Sequence, residues 1–151
     1  MPTVLVVDDY APNNRLLEFV LEQSGFAVII ASDGMHALST LRDVPVDIVV
    51  TDLRMPRLNG LDLVQQLRAD GQLCTLPIVM ITASGRDSDA TRATGLGVDA
   101  FLTRPVDSDD LVAVVRQLMT REASAEGSQL RECRRQAATR PGGGGNFMHS
   151  W

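Results

Sequence analysis

The sequence predicts an α/β fold in which a parallel sheet is built from alternating strands and helices. Two observations predict it. Short apolar runs rich in β-branched residues, such as Val4–Val7 and Ile48–Thr51, are typical of strands buried on both faces. Between these runs, apolar residues recur at helical spacing. Five strand–helix units in succession imply parallel strands joined by right-handed crossovers.

The first half of the chain contains three predicted strands, namely Val4–Val7, Ala27–Ala31 and Ile48–Thr51. An apolar stripe predicts a helix after the first strand, made of Leu16, Leu17, Val20 and Leu21. Gly25 follows this stripe and is a typical C-terminal stop for a helix. A second, short helix is predicted over Met35–Leu41, and it ends before Pro45.

The second half continues the alternation. A third helix carries Leu61, Val64 and Leu67, and a fourth strand is predicted over Pro77–Ile81, where Pro at the first position is tolerated. The segment Asp87–Thr94 predicts a polar helix, and Val98–Leu102 predicts a fifth strand. The last helix has the clearest apolar stripe, made of Leu111, Val114, Val115 and Leu118. Its first turn is acidic, which favours the positive end of the helix dipole.

Composition predicts one folded domain, residues 1–120, followed by a disordered tail over residues 121–151. Ser, Ala, Gly and Arg dominate the tail, which includes the run Gly142–Gly145. Residues 1–120 hold 9 Arg and 16 acidic residues, a net charge of −7, while the remainder holds 5 Arg and 3 acidic residues, a net charge of +2. An acidic domain is not expected to bind nucleic acid or an anionic membrane.

The cysteines and the hydropathy of the sequence predict the cellular compartment of the protein. Cys74 and Cys133 match neither a disulfide framework nor a CxxC metal site, which indicates a reducing cytosol and predicts a cytoplasmic protein. The opening apolar run is too short for a signal peptide, and no segment approaches the length of a membrane span.

Polar residues follow four of the predicted strands at the point where each strand ends. They are Asp8-Asp9, Asp52, Thr82 and Arg104-Pro105. Ligands of open parallel sheets bind beyond the carboxyl ends of the strands, so three acids, one hydroxyl and one fixed cation are expected to meet in one pocket. Clustered carboxylates repel one another unless a cation compensates them, and a small cation with oxygen ligands fits, which favours Mg²⁺. The pocket suits a divalent cation and a phosphoryl group.

These motifs, in this order, resemble the receiver domain of bacterial two-component response regulators. The resemblance covers residues 1–120 and is carried by Asp8-Asp9, the loop D-L-R-M-P-x-x-x-G that begins at Asp52, Thr82-Ala83, and Phe101 three residues before Arg104-Pro105. It implies a flavodoxin-like (βα)5 doubly wound parallel sheet with strand order 2-1-3-4-5. That order would make the strands with polar ends neighbours.

The resemblance also implies roles at the metal site. Asp52 resembles the phospho-acceptor, a carboxylate nucleophile that forms an acyl phosphate. Asp9 resembles a direct Mg²⁺ ligand, Asp8 resembles a ligand acting through water, and the backbone carbonyl of Arg54 resembles the remaining protein ligand. The alternative for Asp52 is an ordinary turn or helix-cap residue, since Asp favours such positions.

Two further residues resemble the family's switch. Thr82 corresponds to the hydroxyl that hydrogen-bonds an incoming phosphoryl oxygen, and Phe101 to an aromatic ring that swings inward when the Thr moves. Each has a simpler interpretation: Thr82 as a β-branched strand residue, and Phe101 as part of the core. For Phe101 both interpretations can hold together.

Arg104 departs from the family, which almost always has Lys at this position. Arg is a rigid planar fork that binds phosphate through two nitrogens, whereas Lys is a compact point charge. In one interpretation Arg104 preserves the ion pair, because all 14 basic residues of the chain are Arg. In the other, phosphorylation or its conformational read-out is weakened. Pro105 corresponds to the Pro of the family's Lys-Pro pair, whose peptide bond is often cis.

The function implied is a phospho-acceptor signalling protein of a two-component phosphorelay, and not an enzyme beyond assisting its own phosphorylation and dephosphorylation. Its expected partners are a sensor histidine kinase or phosphotransfer protein and an unknown protein target, with a homodimer through the last helix–strand–helix face as a further hypothesis. Direct DNA binding is not expected. One alternative is a phosphorylation-independent interaction module. Another is an aspartate-nucleophile phosphohydrolase, although Arg54 stands where such enzymes place a general acid.

Overall fold

The fold is a five-stranded parallel sheet with helices on both faces. The computed structural model of the chain describes residues 2–53, 55, 58–83 and 87–120. The strands are β1 (Thr3–Val7), β2 (Ala27–Ala31), β3 (Ile48–Asp52), β4 (Ile78–Thr82) and β5 (Ala100–Thr103). All neighbouring strands pair in parallel, in the order β2-β1-β3-β4-β5. The predicted fold class and strand order are confirmed.

A helix follows each strand, as the sequence pattern predicted. The helices are α1 (Ala11–Gln23), α2 (Gly34–Asp43), α3 (Gly60–Ala69), α4 (Asp87–Leu96) and α5, which covers residues 108–120 of the described chain. Gly25 lies just after α1 with a φ of 97°, a conformation that Gly adopts without steric cost. The predicted stop therefore coincides with the observed end of the helix.

The fifth strand begins later than predicted, at Ala100 instead of Val98. Val98 closes the end of α4, where its N–H donates to the carbonyl of Ala93 at 3.0 Å. Asp99 then enters the sheet edge through its N–H, which donates to the carbonyl of Ile78 at 2.9 Å. Val98 is apolar because it covers the end of α4. The sequence pattern assigned it to the strand because an apolar residue directly before a strand looks like part of that strand.

Two apolar cores lie on opposite faces of the sheet. One is formed with α2, α3 and α4 and includes Leu41, Leu63, Leu67 and Met80. The other is formed with α1 and α5 and includes Leu17, Leu21, Leu111 and Val115. Because β1, β3 and β4 are covered on both sides, their side chains are buried almost throughout. The central strands therefore hold the residues at their carboxyl ends on a rigid base.

The guanidinium of Arg68 ties together the end of the sheet opposite those carboxyl termini. It donates to the carbonyls of Gly97, Cys74 and Leu76 at 2.7–3.1 Å, and it pairs with the carboxylate of Asp99 at 3.0 Å. The same carboxylate accepts the N–H of Ile78. This network fixes the loops that lead into β4 and β5.

The expectation that the cysteines form no disulfide is wrong for Cys74, which is disulfide-bonded in the structure. Sequence spacing could not show this, because two distant cysteines pair whenever the fold brings their sulfurs together. Cys133 and the predicted tail lie outside the described residues. Within the described part of the chain, no helix combines the length and hydropathy of a membrane-spanning segment.

Candidate functional site

Three carboxylates meet at the carboxyl ends of β1 and β3. Asp8 and Asp9 follow β1, Asp52 is the last residue of β3, and the register pairs Val7 with Thr51 directly before them. Each carboxylate offers an oxygen, and these oxygens all lie within 4.8 Å of one another. The sequence predicted this juxtaposition from the position of the acids at strand ends.

Asp8 is the most buried of the three, with 2 % of its surface exposed. Its Oδ1 accepts the N–H of Tyr10 at 2.9 Å. Its Oδ2 accepts from the Asn13 amide at 3.2 Å and from the Arg104 guanidinium at 2.9 Å. Three donors, one of them cationic, compensate the loss of hydration of this carboxylate. Asp9 and Asp52 are more accessible, so they are the oxygens that a ligand can reach first.

Two asparagines at the start of α1 contribute to the site and were missed in the sequence. Asn13 binds the side chain of Asp8, as described above, and the buried Asn14 amide donates to the backbone carbonyl of Asp8 at 2.8 Å. The available signal was a pair of polar residues in the first turn of a helix directly after the acidic pair. That pattern is also typical of helix N-termini, so it was not specific.

The pKa of Asp52 is raised above its usual value. Burial is the main cause, and repulsion from the carboxylate of Asp8 adds to it. The backbone N–H of Leu53, which donates to Asp52 Oδ1 at 2.8 Å, and the charge of Arg104 act in the opposite direction. Asp9 adds a smaller repulsion. The site is therefore short of positive charge for the number of acids it holds.

Gly60 positions the loop that follows Asp52. Its N–H donates to the carbonyl of Leu53 at 2.8 Å, so the start of α3 lies against the end of β3. A Cβ at this position would overlap the carbonyl oxygen of Asp52 and lie 3.0 Å from Leu53 Cα. Only a residue without a side chain allows this approach. Asn59 then caps α3, accepting the N–H of Asp62 at 2.9 Å.

The other predicted residues lie at the ends of β4 and β5. Thr82 is buried at the end of β4, and its carbonyl accepts the N–H of Arg104 at 2.8 Å. The Arg104 side chain reaches back across the sheet to Asp8, and the Arg104–Pro105 peptide bond is cis. Phe101 is partly buried and packs against the core on the α2–α4 face. Arg54, the predicted backbone ligand, lies outside the described residues.

The donor set fits Mg²⁺. It consists of carboxylate oxygens, of which those of Asp9 and Asp52 are the more accessible, and burial together with repulsion from Asp8 raises the pKa of Asp52. A hard divalent cation with oxygen ligands relieves this repulsion. Asp9 and Asp52 would hold such an ion directly. Asp8, already engaged by three donors, would act through water.

A family model described as "Response regulator receiver domain" matches residues 4–116. The chain belongs to the receiver domain family. This receiver is 37% identical over 129 residues to the "Transcriptional regulatory protein CpxR" of Escherichia coli K12, an alignment that covers 85% of this chain and 54% of that protein. It is 35% identical over 136 residues to "Response regulator Rre1" of Synechocystis, covering 86% and 59% respectively. The receiver spans a little over half the length of these curated relatives.

Solved structures agree with this assignment. The chemotaxis protein CheY4 of Vibrio cholerae superimposes with a TM-score of 0.74 at 25% identity, covering 78% of this receiver and 98% of that chain. The receiver domain of the Francisella response regulator 1452 superimposes with a TM-score of 0.74 at 30% identity, covering 80% and 98%. Receiver domains generally bind Mg²⁺ through an acidic pocket, and this receiver has the corresponding cluster of aspartates.

Proposed function

We propose that this receiver is the phospho-acceptor of a two-component phosphorelay. Asp52 would take a phosphoryl group from the phosphohistidine of a sensor kinase or a phosphotransfer protein. The observation that carries the proposal is the cluster of Asp8, Asp9 and Asp52 with the guanidinium of Arg104 at its edge. These groups supply a nucleophile, a cation site and a fixed positive charge in one place.

In the proposed transfer, an oxygen of Asp52 attacks phosphorus, an O–P bond forms, and the P–N bond to the donor histidine breaks. The histidine nitrogen keeps the electron pair of that bond. Asp9, Asp52 and the Arg54 carbonyl would hold a bound Mg²⁺. The ion would neutralise charge on the phosphoryl oxygens. Such transfers depend mainly on positioning and electrostatics. The Asp8–Arg104 ion pair provides both, because it holds the guanidinium beside the acceptor.

The read-out of phosphorylation would pass through Thr82 and Phe101. Thr82 ends the strand next to Asp52, and its hydroxyl is the group proposed to bind a phosphoryl oxygen. Phe101 lies one strand further along, paired in register with Met80. A movement of Thr82 toward the phosphoryl group would change the packing around Phe101. The face made of α4, β5 and α5 would then change its preferred partner, including a second copy of this receiver.

The donor protein is proposed to contact the exposed apolar side of α1, because this helix begins directly beside the carboxylates. Leu16 and Phe19 on this helix are 59% and 62% exposed. Donor kinases use ATP, so we place the receiver in the cytoplasm. Output is proposed to pass through protein contacts rather than direct DNA binding, and no turnover of an external substrate is proposed.

A phosphorylation-independent interaction module is the second candidate, and the observation that favours it is Arg at position 104. In the structure, a guanidinium nitrogen of Arg104 lies 2.9 Å from Oδ2 of Asp8, so the ion pair with the acidic cluster is formed. The guanidinium occupies the position of a cation beside the carboxylates and uses one nitrogen on Asp8. This arrangement supports an intact phosphate-binding charge, which favours the first candidate.

Beryllofluoride, which mimics an acyl phosphate, tests the switch. With beryllofluoride and Mg²⁺ added, we expect the backbone amide resonances of Thr82 and Phe101 to shift, and we expect Asp52→Asn to abolish both shifts. Arg104→Lys should preserve them. Unchanged resonances around these residues would favour the phosphorylation-independent module. Catalytic hydrolysis of para-nitrophenyl phosphate by the pure protein would instead favour a phosphohydrolase.

A further inference from the structure

An apolar groove lies between α1 and α5, next to the phospho-acceptor site. Its volume is about 400 Å³. Leu16, Leu17 and Val20 form the α1 side, and Arg104 and Pro105, which are joined by a cis peptide bond, also line the groove. Most of the remaining wall is also apolar, made of Ile81, Val106 and Leu111. This α1–α5 groove has the size of a site for a few side chains.

Exposed apolar side chains extend the groove along α1. Leu16 and Phe19 are more than half exposed, although large apolar residues rarely stand together on the surface of a soluble domain without a partner. The two positions are three residues apart and therefore lie on the same side of the helix. The groove and this surface form one continuous apolar patch.

The chain itself contains a segment with matching chemistry. Residues 147–151 have the sequence F-M-H-S-W and include the only Trp of the chain, Trp151. Phe147 and Met148 add two more large apolar side chains. Residues 121–146, which link this segment to α5, carry a net charge of +2, and residues 1–120 carry a net charge of −7. Opposite charges favour association of the two parts.

Chain length permits the contact. Residues 121–146 lie between the end of the described α5 and Phe147. Counted from Cys133, the only other cysteine available to the disulfide-bonded Cys74, the 13 residues 134–146 can still span up to roughly 45 Å. A domain of this size is about 30–35 Å across, given a radius of gyration of ~13 Å for 100 residues. A tethered segment of this length has an effective concentration on the order of millimolar, so even a weak contact would be populated.

We propose that residues 147–151 bind in the α1–α5 groove and cover Leu16 and Phe19. The segment would thereby compete with a phosphodonor for the apolar side of α1, a consequence that rests on the proposed function. The contact itself does not depend on phosphorylation. It gives this receiver a means, built into its own chain, of covering the surface proposed to bind the phosphodonor.

The single Trp provides the test in the full chain. We expect the emission of Trp151 to be blue-shifted and protected from acrylamide quenching, relative to a peptide of residues 141–151. The double substitution Leu16→Glu and Phe19→Glu should restore the emission of the peptide. Met35→Glu is the matched control, because Met35 is an apolar residue 53% exposed on α2, away from the groove. It should leave Trp151 unchanged.

A second set of substitutions tests the groove from the other side. Phe147→Glu with Met148→Glu should increase the binding of the apolar dye anilinonaphthalene sulfonate, because the groove becomes accessible. Peptide-like emission of Trp151 in the unaltered chain would overturn the proposal. So would a blue shift that disappears on dilution, which would indicate a second copy as the occupant.

Failure of the proposed function would give a different pattern. Acetyl phosphate is a small donor that needs no docking surface, so its reaction with Asp52 reports on the site alone. A chain that is not labelled but has a buried Trp151 would contradict the phosphorelay and retain the docked segment. A labelled chain with an exposed Trp151 would contradict only the docking.

Discussion

Gly60→Ala should destabilise the receiver and weaken Mg²⁺ binding together, because Gly60 packs against the backbone of the phospho-acceptor. The added Cβ would overlap the Asp52 carbonyl oxygen and approach Leu53 Cα to 3.0 Å. Both atoms belong to the backbone, so no side-chain rotation relieves the contact. Either the start of α3 or the peptide of Asp52 must move.

Forcing extra volume into a packed site costs about 1–3 kcal/mol. Ala is a better helix former than Gly by up to about 1 kcal/mol, and less at the first position of a helix. The expected net loss in the free energy of unfolding is therefore about 1–2 kcal/mol. Displacement of the Asp52 carboxylate should also lower the Mg²⁺ affinity, which a simple loss of packing elsewhere would not do.

Urea denaturation with an unchanged m-value measures the first effect, and calorimetric titration with Mg²⁺ measures the second. Gly71→Ala is the matched control. A Cβ at Gly71 meets no atom within 4 Å, so this substitution should be neutral or stabilise by up to about 1 kcal/mol. Equal stability and equal Mg²⁺ affinity of the two variants would refute the packing argument.

Three further predictions concern charge. Burial and Asp8 raise the pKa of Asp52 in the folded state, so folding favours the protonated form, and the ionised group destabilises the fold above that pKa. In EDTA at neutral pH, Asp52→Asn should therefore unfold at a higher urea concentration than the unaltered chain. The difference between the two urea midpoints should shrink as the pH falls through the raised pKa of Asp52. A difference that does not depend on pH would contradict this prediction. Mg²⁺ at about 100 times its dissociation constant should stabilise the unaltered chain by ~2.7 kcal/mol, and Asp9→Asn should lose most of that gain, whereas equal gains would exclude Asp9 as a ligand. Arg68→Ala should lower the free energy of unfolding by about 2–3 kcal/mol, because several carbonyls and the Asp99 carboxylate lose a charged donor. Arg92 is exposed, so the control Arg92→Ala should change the free energy of unfolding by less than about 0.5 kcal/mol.

Much of the fold could be predicted because its determinants are local. Continuous β-branched runs such as Ile48–Thr51 indicate buried parallel strands, and the helical stripes between them leave one class of architecture. The acids were predictable for the same reason, because Asp8, Asp9 and Asp52 each follow a strand that ends at one edge. The strand order was not contained in the periodicity and came from the family resemblance.

The contacts that could not be predicted join residues distant in the sequence. The amide of Asn13 and the guanidinium of Arg104 meet on one oxygen of Asp8, although Arg104 lies 96 residues away from it. The ion pair of Arg68 with Asp99 depends in the same way on how α3 and β5 pack. The disulfide bond of Cys74 is another contact that the sequence pattern did not predict. Local patterns do not encode such tertiary distances.

Labelling with acetyl phosphate is the decisive test of phosphorylation at Asp52. The receiver is incubated with acetyl phosphate and Mg²⁺, its intact mass is measured, and the modified residue is located by peptide mapping after borohydride reduction. We expect a gain of one phosphoryl group, located on Asp52, that requires Mg²⁺ and is absent in Asp52→Asn. A chain that gains no mass, or that gains the same mass when Asp52 is replaced, would contradict it.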